Sequence, residues 1–433
     1  MPRTRRLPRP RAGAPRDESP GSAEGQGWPR PANGRPSGPP RGGAPIVRTA
    51  FVSTYPPRRC GIASFTQDLA ASTGLREIVA LHPPDHREPY PPEVRGRIRR
   101  DVRGDYRAAA DALHDRGVDV ISLQHEYGIW GGEDGGYVLD FVRALRLPVV
   151  TTLHTILRRP TAGQHRVLRE LVRSSTATVV MSNAAAALLA SAYGVDPTRV
   201  EVIPHGVPDL PLADPDRVKP IVGMEGRRLI LSFGLLGPGK GYELAIDAMP
   251  AVVAAVPTAC YVVVGATHPG LLLHEGEAYR NRLIARASEL GIADHVRFVD
   301  RYVGRVELAR WLQAADVFVT PYPNLDQIVS GTLSYAMGAG KPAVSTPYAY
   351  AVEILAGGRG ILVPPGSPAA VSGALVRLLR DRELRDAIGR RAYAHGRRMV
   401  WGEVGAAYAR LFARVLSGSR SRPVPVMRPV VNA

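Results

Sequence analysis

Short runs of β-branched and other apolar residues alternate along this chain with segments whose apolar residues recur at helical spacing, and the alternation starts twice. In the first half the strand-like runs are 46–55, 75–81, 118–124, 147–153, 178–182 and 200–204. A Pro-rich, charged stretch at 208–226 then breaks the pattern and reads as a linker. The second half has strand-like runs at 229–233, 259–264, 296–299, 317–320, 342–346 and 360–363. Strands separated by helices predict parallel sheets covered on both faces. The expectation is two Rossmann-like, doubly wound α/β domains facing across a cleft, one over 46–215 and one over 222–400. A helix over 401–417 is placed to pack back on the first domain. In such sheets ligands bind beyond the carboxyl ends of the strands.

The charge, +17, is unevenly spread. Residues 1–48 hold ten Arg against three Asp or Glu and are crowded with Pro and Gly, which predicts a disordered basic tail over 1–45. Residues 418–433 read as a second tail. The basic tail is suited to anionic lipid at the inner face of a membrane. Cys60 and Cys260 lie far apart, which argues against a disulfide scaffold and for a reducing, cytoplasmic compartment. No apolar run approaches the length of a membrane span. Aromatic residues make up only 6%, and no basic–aromatic stripe points to sequence-specific nucleic-acid binding.

The most informative stretch is YPNLDQIVSGTLSYAMGAGKPAVSTPYAYAVEIL, from Tyr322 to Leu355. It follows a strand and opens a helix at Ser330, Gly331 and Thr332. Unpaired N–H groups, two hydroxyls and a residue without a side chain make a place where a diphosphate can lie close to the backbone. Helix caps of an ordinary strand–helix unit have the same composition. Upstream, Gly234-x4-Gly239-Lys240-Gly241 nearly matches the phosphate-cradling loop of nucleoside triphosphatases. That loop needs Ser or Thr after its lysine for magnesium, and this chain has Gly241. A lysine in a glycine turn still neutralises phosphate charge. His125, with Glu126 beside it, His154 and His205 each fall at a predicted strand exit of the first domain. No cysteine pair or His-Glu-x-x-His run supports a metal, so no metal and no cofactor are expected.

Together, GPGKGYE, ADVFVTPYPN, YAMGAGKPAVST and GRGILVPPGSPAAV in the second half resemble the retaining glycosyltransferase family four, with its GT-B fold. YPPRRCGIASFT, QHEYGIWGG, TLHTIL and VIPHGV in the first half resemble a branch of mannosyl- or glucosyltransferases. The resemblance implies metal-independent hexosyl transfer from a nucleotide sugar, held mainly by the second domain, to a glycan, lipid or small-molecule acceptor held mainly by the first. It implies catalytic roles for His154 and Lys240. It implies donor contacts from Gly61, Gly239, Lys240, Gln327, Ser330, Gly331, Thr332 and Glu353, and leaves His125, Glu126 and His205 on the acceptor side.

The chain also departs from the family pattern. Two family glutamates are replaced by Gln327 and Tyr335, and an arginine before the lysine by Leu235. Tyr335 cannot accept a ribose diol as a carboxylate does. A catalytically degenerate nucleotide-sugar or glycan-binding protein is the alternative reading, and a nucleotide hydrolase the lesser one.

Overall fold

The computed structural model describes Trp28, residues 47–74 and residues 77–418. Apart from Trp28 and Gly418, the expected tails lie outside the described residues.

Two all-parallel sheets form. The first is β3-β2-β1-β4-β5-β6-β7, built from β1 (Thr49–Ser53), β2 (Glu77–His82), β3 (Val94–Arg99), β4 (Val120–His125), β5 (Val149–Leu153), β6 (Ala177–Val180) and β7 (Val200–Val202). The second is β10-β9-β8-β11-β12-β13, built from β8 (Arg228–Phe233), β9 (Ala259–Val264), β10 (Val296–Val299), β11 (Val317–Thr320), β12 (Ala343–Ser345) and β13 (Gly360–Leu362). The central strands β1, β4, β5, β6, β9 and β11 are buried along their whole length, as sheets covered by helices on both faces require. Strand order reverses between β1 and β4 and between β8 and β11, which puts the ligand crevices beyond the carboxyl ends of those pairs.

Some elements escaped the sequence reading. Strand β3, VRGRIR, lies at the edge, where four of its six residues are polar or glycine and give no apolar run. The helices Val138–Ala144, Pro269–Glu275 and Ala349–Leu355 have seven residues each, too few for a period to register. The stretch 208–226 is more than a connector. Its Lys219 is buried and pairs with buried Asp316 at 2.8 Å, which fastens this segment to the second domain.

The helix Trp401–Leu416 crosses back and completes the core of the first domain. Trp401, Val404, Tyr408, Leu411 and Phe412 cluster with Phe51, Phe65 and Leu69. The Tyr408 hydroxyl meets Thr152 Oγ1 at 2.9 Å, and Arg414 pairs with Glu201 at 2.8 Å.

Candidate functional site

On the second domain the site grows from the reversal between β8 and β11. Strand β8 leads into the Gly234 turn. Lys240 brings its Nζ to 4.9 Å from the ring centroid of Tyr322, just past the end of β11. The Tyr322 hydroxyl lies 3.1 Å from Thr332 Oγ1, which lies 3.2 Å from Ser330 Oγ. Ser330 caps the helix Gly331–Gly338 by accepting the Leu333 N–H at 3.3 Å. Lys240 and the start of this helix therefore share one surface, joined through Tyr322. The free N–H groups of the helix start and the lysine are both positive.

Gly241 has φ +71°, and a Cβ there would lie 2.0 Å from the Pro321 carbonyl oxygen. A Ser or Thr after the lysine is thus excluded by backbone geometry, which removes the magnesium ligand a triphosphatase needs. Gly239 (φ +88°) has open space around it.

On the first domain, Gly61 opens the helix Gly61–Ser72, whose start is capped by Cys60 Sγ accepting from the Ala63 N–H at 3.3 Å. Open space surrounds Gly61 too. One turn on, the Phe65 ring meets His154 (4.9 Å), His205 (5.1 Å) and Trp401 (5.2 Å) edge to face. His154 Nε2 lies 2.9 Å from Gln124 Oε1, so Nε2 carries the proton and Nδ1 is left as an acceptor. His205 Nδ1 donates to the Gly206 carbonyl at 2.7 Å. Its Nε2 would lie 2.9 Å from a Cβ at position 331, which is why a glycine stands there. His205 thereby joins the two halves. Burial lowers His154 to about 3 and His205 to about 4, so both rings are neutral at neutral pH.

A cavity of about 360 Å³ opens between the domains, lined by His154, Thr155, Arg158, Asn324, Gln327 and Val329 among others. Gln327 donates through Nε2 to the Val329 carbonyl at 2.9 Å. Glu126 accepts from the Thr155 hydroxyl. Arg158 pairs with Asp326 across the gap at 2.8 Å. A larger groove, about 690 Å³, lies on the face of the helix Ala162–Ser174 and is lined by His165, Arg166, Arg169, Glu170, Arg173 and Ser174, none of them a residue of this cleft.

Two residues expected at the site are employed elsewhere. His125, the last residue of β4, is wholly buried, both ring nitrogens lack a partner, and burial lowers it to about 3. It has no surface to offer an acceptor. Glu353, expected on the donor side, lies at the boundary between the domains. Its carboxylate accepts from the Asn183 N–H (3.0 Å), the Asn183 side-chain amide (2.8 Å) and the Ala184 N–H (2.9 Å). It caps the helix Asn183–Tyr193 of the opposite domain, so it clasps the two domains together.

Residues 60–209 match the family Glycosyltransferase Family 4, and residues 216–395 match Glycosyl transferases group 1. The chain belongs to glycosyltransferase family four. Among curated relatives, the D-inositol 3-phosphate glycosyltransferase of Segniliparus rotundus is 26% identical over 71% of this chain and 69% of its own length. The phosphatidyl-myo-inositol mannosyltransferase of Mycobacterium leprae is 27% identical over 76% and 80%. Solved structures show the same GT-B fold at lower identity. Anabaena HepE in complex with UDP has a TM-score of 0.68 at 17% identity, over 84% of this chain and 99% of that one. Sucrose-phosphate synthase from Thermosynechococcus elongatus has 0.69 at 17%, over 86% and 100%.

Tyr335, where the resemblance expects a glutamate, sits among aromatic rings. Its ring packs with Trp28 (5.5 Å), His205 (5.9 Å) and Phe233 (6.0 Å). The carboxylate beside it is Asp68 of the opposite domain, which pairs with Arg305 at 2.5 Å and accepts from Trp28 Nε1 at 3.4 Å. Burial raises Asp68 to about 6 against the pull of Arg305, Trp28 and Tyr335. Sequence reasoning assigned no site role to Tyr322, Phe65, Gln124 or Asp68, because their roles depend on which residues the fold sets opposite them. The one available signal was the place of Tyr322, directly past a buried strand. Among the described residues no group of three or more His, Cys, Asp or Glu is arranged to hold a metal ion.

Proposed function

We propose that this glycosyltransferase moves a hexosyl group from a nucleoside diphosphate sugar to a hydroxyl of its acceptor with retention of anomeric configuration. The observation that carries the reading is the meeting of Lys240 with the Ser330–Thr332 helix start, faced by His205 and the Gly61 helix. The bond from the anomeric carbon to the diphosphate breaks, and negative charge collects on the departing phosphate. Lys240 and the helix N–H groups stabilise that charge where it develops, the role a metal takes in other transferases. The acceptor oxygen bonds to the anomeric carbon on the face the phosphate leaves. The acceptor's proton passes to the departing phosphate oxygen.

That proton route suits the histidines. A ring lowered to about 3, as at His154, is too weak a base to take a hydroxyl proton at neutral pH. His154 instead offers a neutral, oriented ring to the sugar. The UDP bound to HepE supports a uridine nucleotide as the first to try, and the names of the relatives support inositol phosphates and phosphatidylinositol as first acceptors.

The test is a thermal-shift screen of UDP, GDP and ADP and their hexose derivatives, followed by turnover of any sugar nucleotide that raises the melting temperature. The expected result is a stabilising donor whose sugar appears in the product with its anomeric configuration kept. Inversion overturns the stereochemistry, and binding without transfer or donor hydrolysis assigns the chain to the non-catalytic reading.

A further inference from the structure

Of the eleven buried side-chain polar atoms without a hydrogen-bond partner among the described residues, four fall in one cluster: Arg58 Nη1, His82 Nδ1, His86 Nε2 and Tyr90 Oη. Such atoms have given up water and gained nothing in exchange, so a concentration of them needs an explanation. The three rings are packed together. His86 stacks on Tyr90 at 4.4 Å with an 18° tilt, and His82 approaches them at 5.1 and 5.9 Å. Arg97 lies over the Tyr90 ring, its Cζ 5.2 Å from the centroid.

The cluster is electropositive. The charges of Arg58 and Arg97 act on Tyr90, and those of Arg97 and Arg87 act on His82, with Asp85 the opposing acid. Glu93 nearby accepts from the Tyr55 hydroxyl at 3.2 Å. His82 ends β2 at the carboxyl edge of the sheet, where ligands of such sheets bind. Arg58 precedes the Gly61 helix. Its charge reaches His268 of the second domain, as does that of Lys240, which sets the Arg58 end of the cluster beside the cleft.

Guanidinium and imidazole N–H groups with a phenol O–H form a set of donors around a positive field, the chemistry that recognises a tetrahedral oxyanion. We propose that Arg58, His82, His86, Tyr90 and Arg97 form an anion subsite on the acceptor side of the cleft that takes a phosphate ester carried by the acceptor. The proposal rests on the transferase reading for the word acceptor, while the phosphate subsite itself does not.

The experiment titrates inorganic phosphate, D-inositol 3-phosphate and inositol into the full chain with UDP present, followed by calorimetry and by the imidazole resonances of His82 and His86. Both phosphates are expected to bind and to move those resonances, with the ester tighter than inorganic phosphate and inositol without effect. In the Arg58→Gln/Arg97→Gln double variant their affinity falls at least tenfold, while UDP affinity changes by less than twofold. If the double variant does not fold, Arg97→Gln alone, at an exposed residue, is expected to weaken both phosphates at least threefold. Absent phosphate binding, unmoved His82 and His86 resonances, or unchanged affinity in the variants overturns the subsite. An ester no tighter than inorganic phosphate overturns its assignment to the acceptor. Failure of UDP to bind the unaltered chain counts against the transferase reading and leaves the phosphate result standing.

Discussion

At the scale of single residues, Gly241 separates this chain from the triphosphatases its loop resembles. A side chain at 241 would have to displace the Pro321 carbonyl in a left-handed backbone conformation. Gly241→Ser is therefore expected to destabilise the protein by roughly 1–3 kcal/mol, read as a lower melting temperature, and to confer no magnesium dependence on nucleotide binding. Lys240 was singled out in the sequence by its glycine turn between strand and helix, and the structure sets it beside Tyr322 near the Ser330 helix start. Its partner Tyr322 was not, because the contact links two turns about eighty residues apart that only the sheet order brings together. His125 and His154 gave the same signal in the sequence, each at a strand end. Leu153 pairs with His125 in the sheet, so His154 lies one residue beyond the ladder. In a structure of period two, that single step sends one ring into the interior and the other toward the cavity.

At the scale of elements, Glu353 shows how the docking of two helices gives a motif residue a structural task that its sequence position does not reveal. The sequence placed it near a donor site. The docking of the helix Ala349–Leu355 against the helix Asn183–Tyr193 turns it into a cap across the domain boundary. Glu353→Ala leaves the Asn183 and Ala184 N–H groups without their acceptor. The expected cost is about 1 kcal/mol, seen as amide exchange at Asn183 and Ala184 faster by about fivefold, while the helices of the second domain exchange at their former rates. The alternating strands and longer helices were legible because their apolar periods run over many residues. Edge strand β3 was not, since a strand with one face in water and three arginines needs no apolar run.

At the scale of the whole molecule, the two domains meet on both sides of the cleft. One side holds Arg305 against Asp68 and Gln67, and the Ser64 hydroxyl against that of Tyr302 at 2.9 Å. The other holds Glu353 on its helix and the Ser182 hydroxyl on the Ile328 carbonyl at 2.8 Å. Burial raises Asp68 to about 6, so the folded protein holds this proton more tightly than the unfolded chain does. Its contribution to stability is full below about pH 4 and is lost as pH rises through about 6, a change of roughly 3 kcal/mol. Asp68→Asn is expected to remove that component, so that variant and wild type differ in the slope of melting temperature against pH between 4 and 7. Parallel slopes would show that Asp68 carries no such linkage. The two-domain plan was legible from the restart of the alternation at the linker. The way the domains close on each other was not, because it is written in contacts between residues more than a hundred positions apart.

The most direct measurement is the rate of donor cleavage at saturating donor, compared between the wild-type protein and Lys240→Ala. The proposed charge stabilisation predicts a fall of about 10²–10³ in kcat with the melting temperature nearly unchanged. A folded Lys240→Ala protein that turns over at the wild-type rate would contradict it.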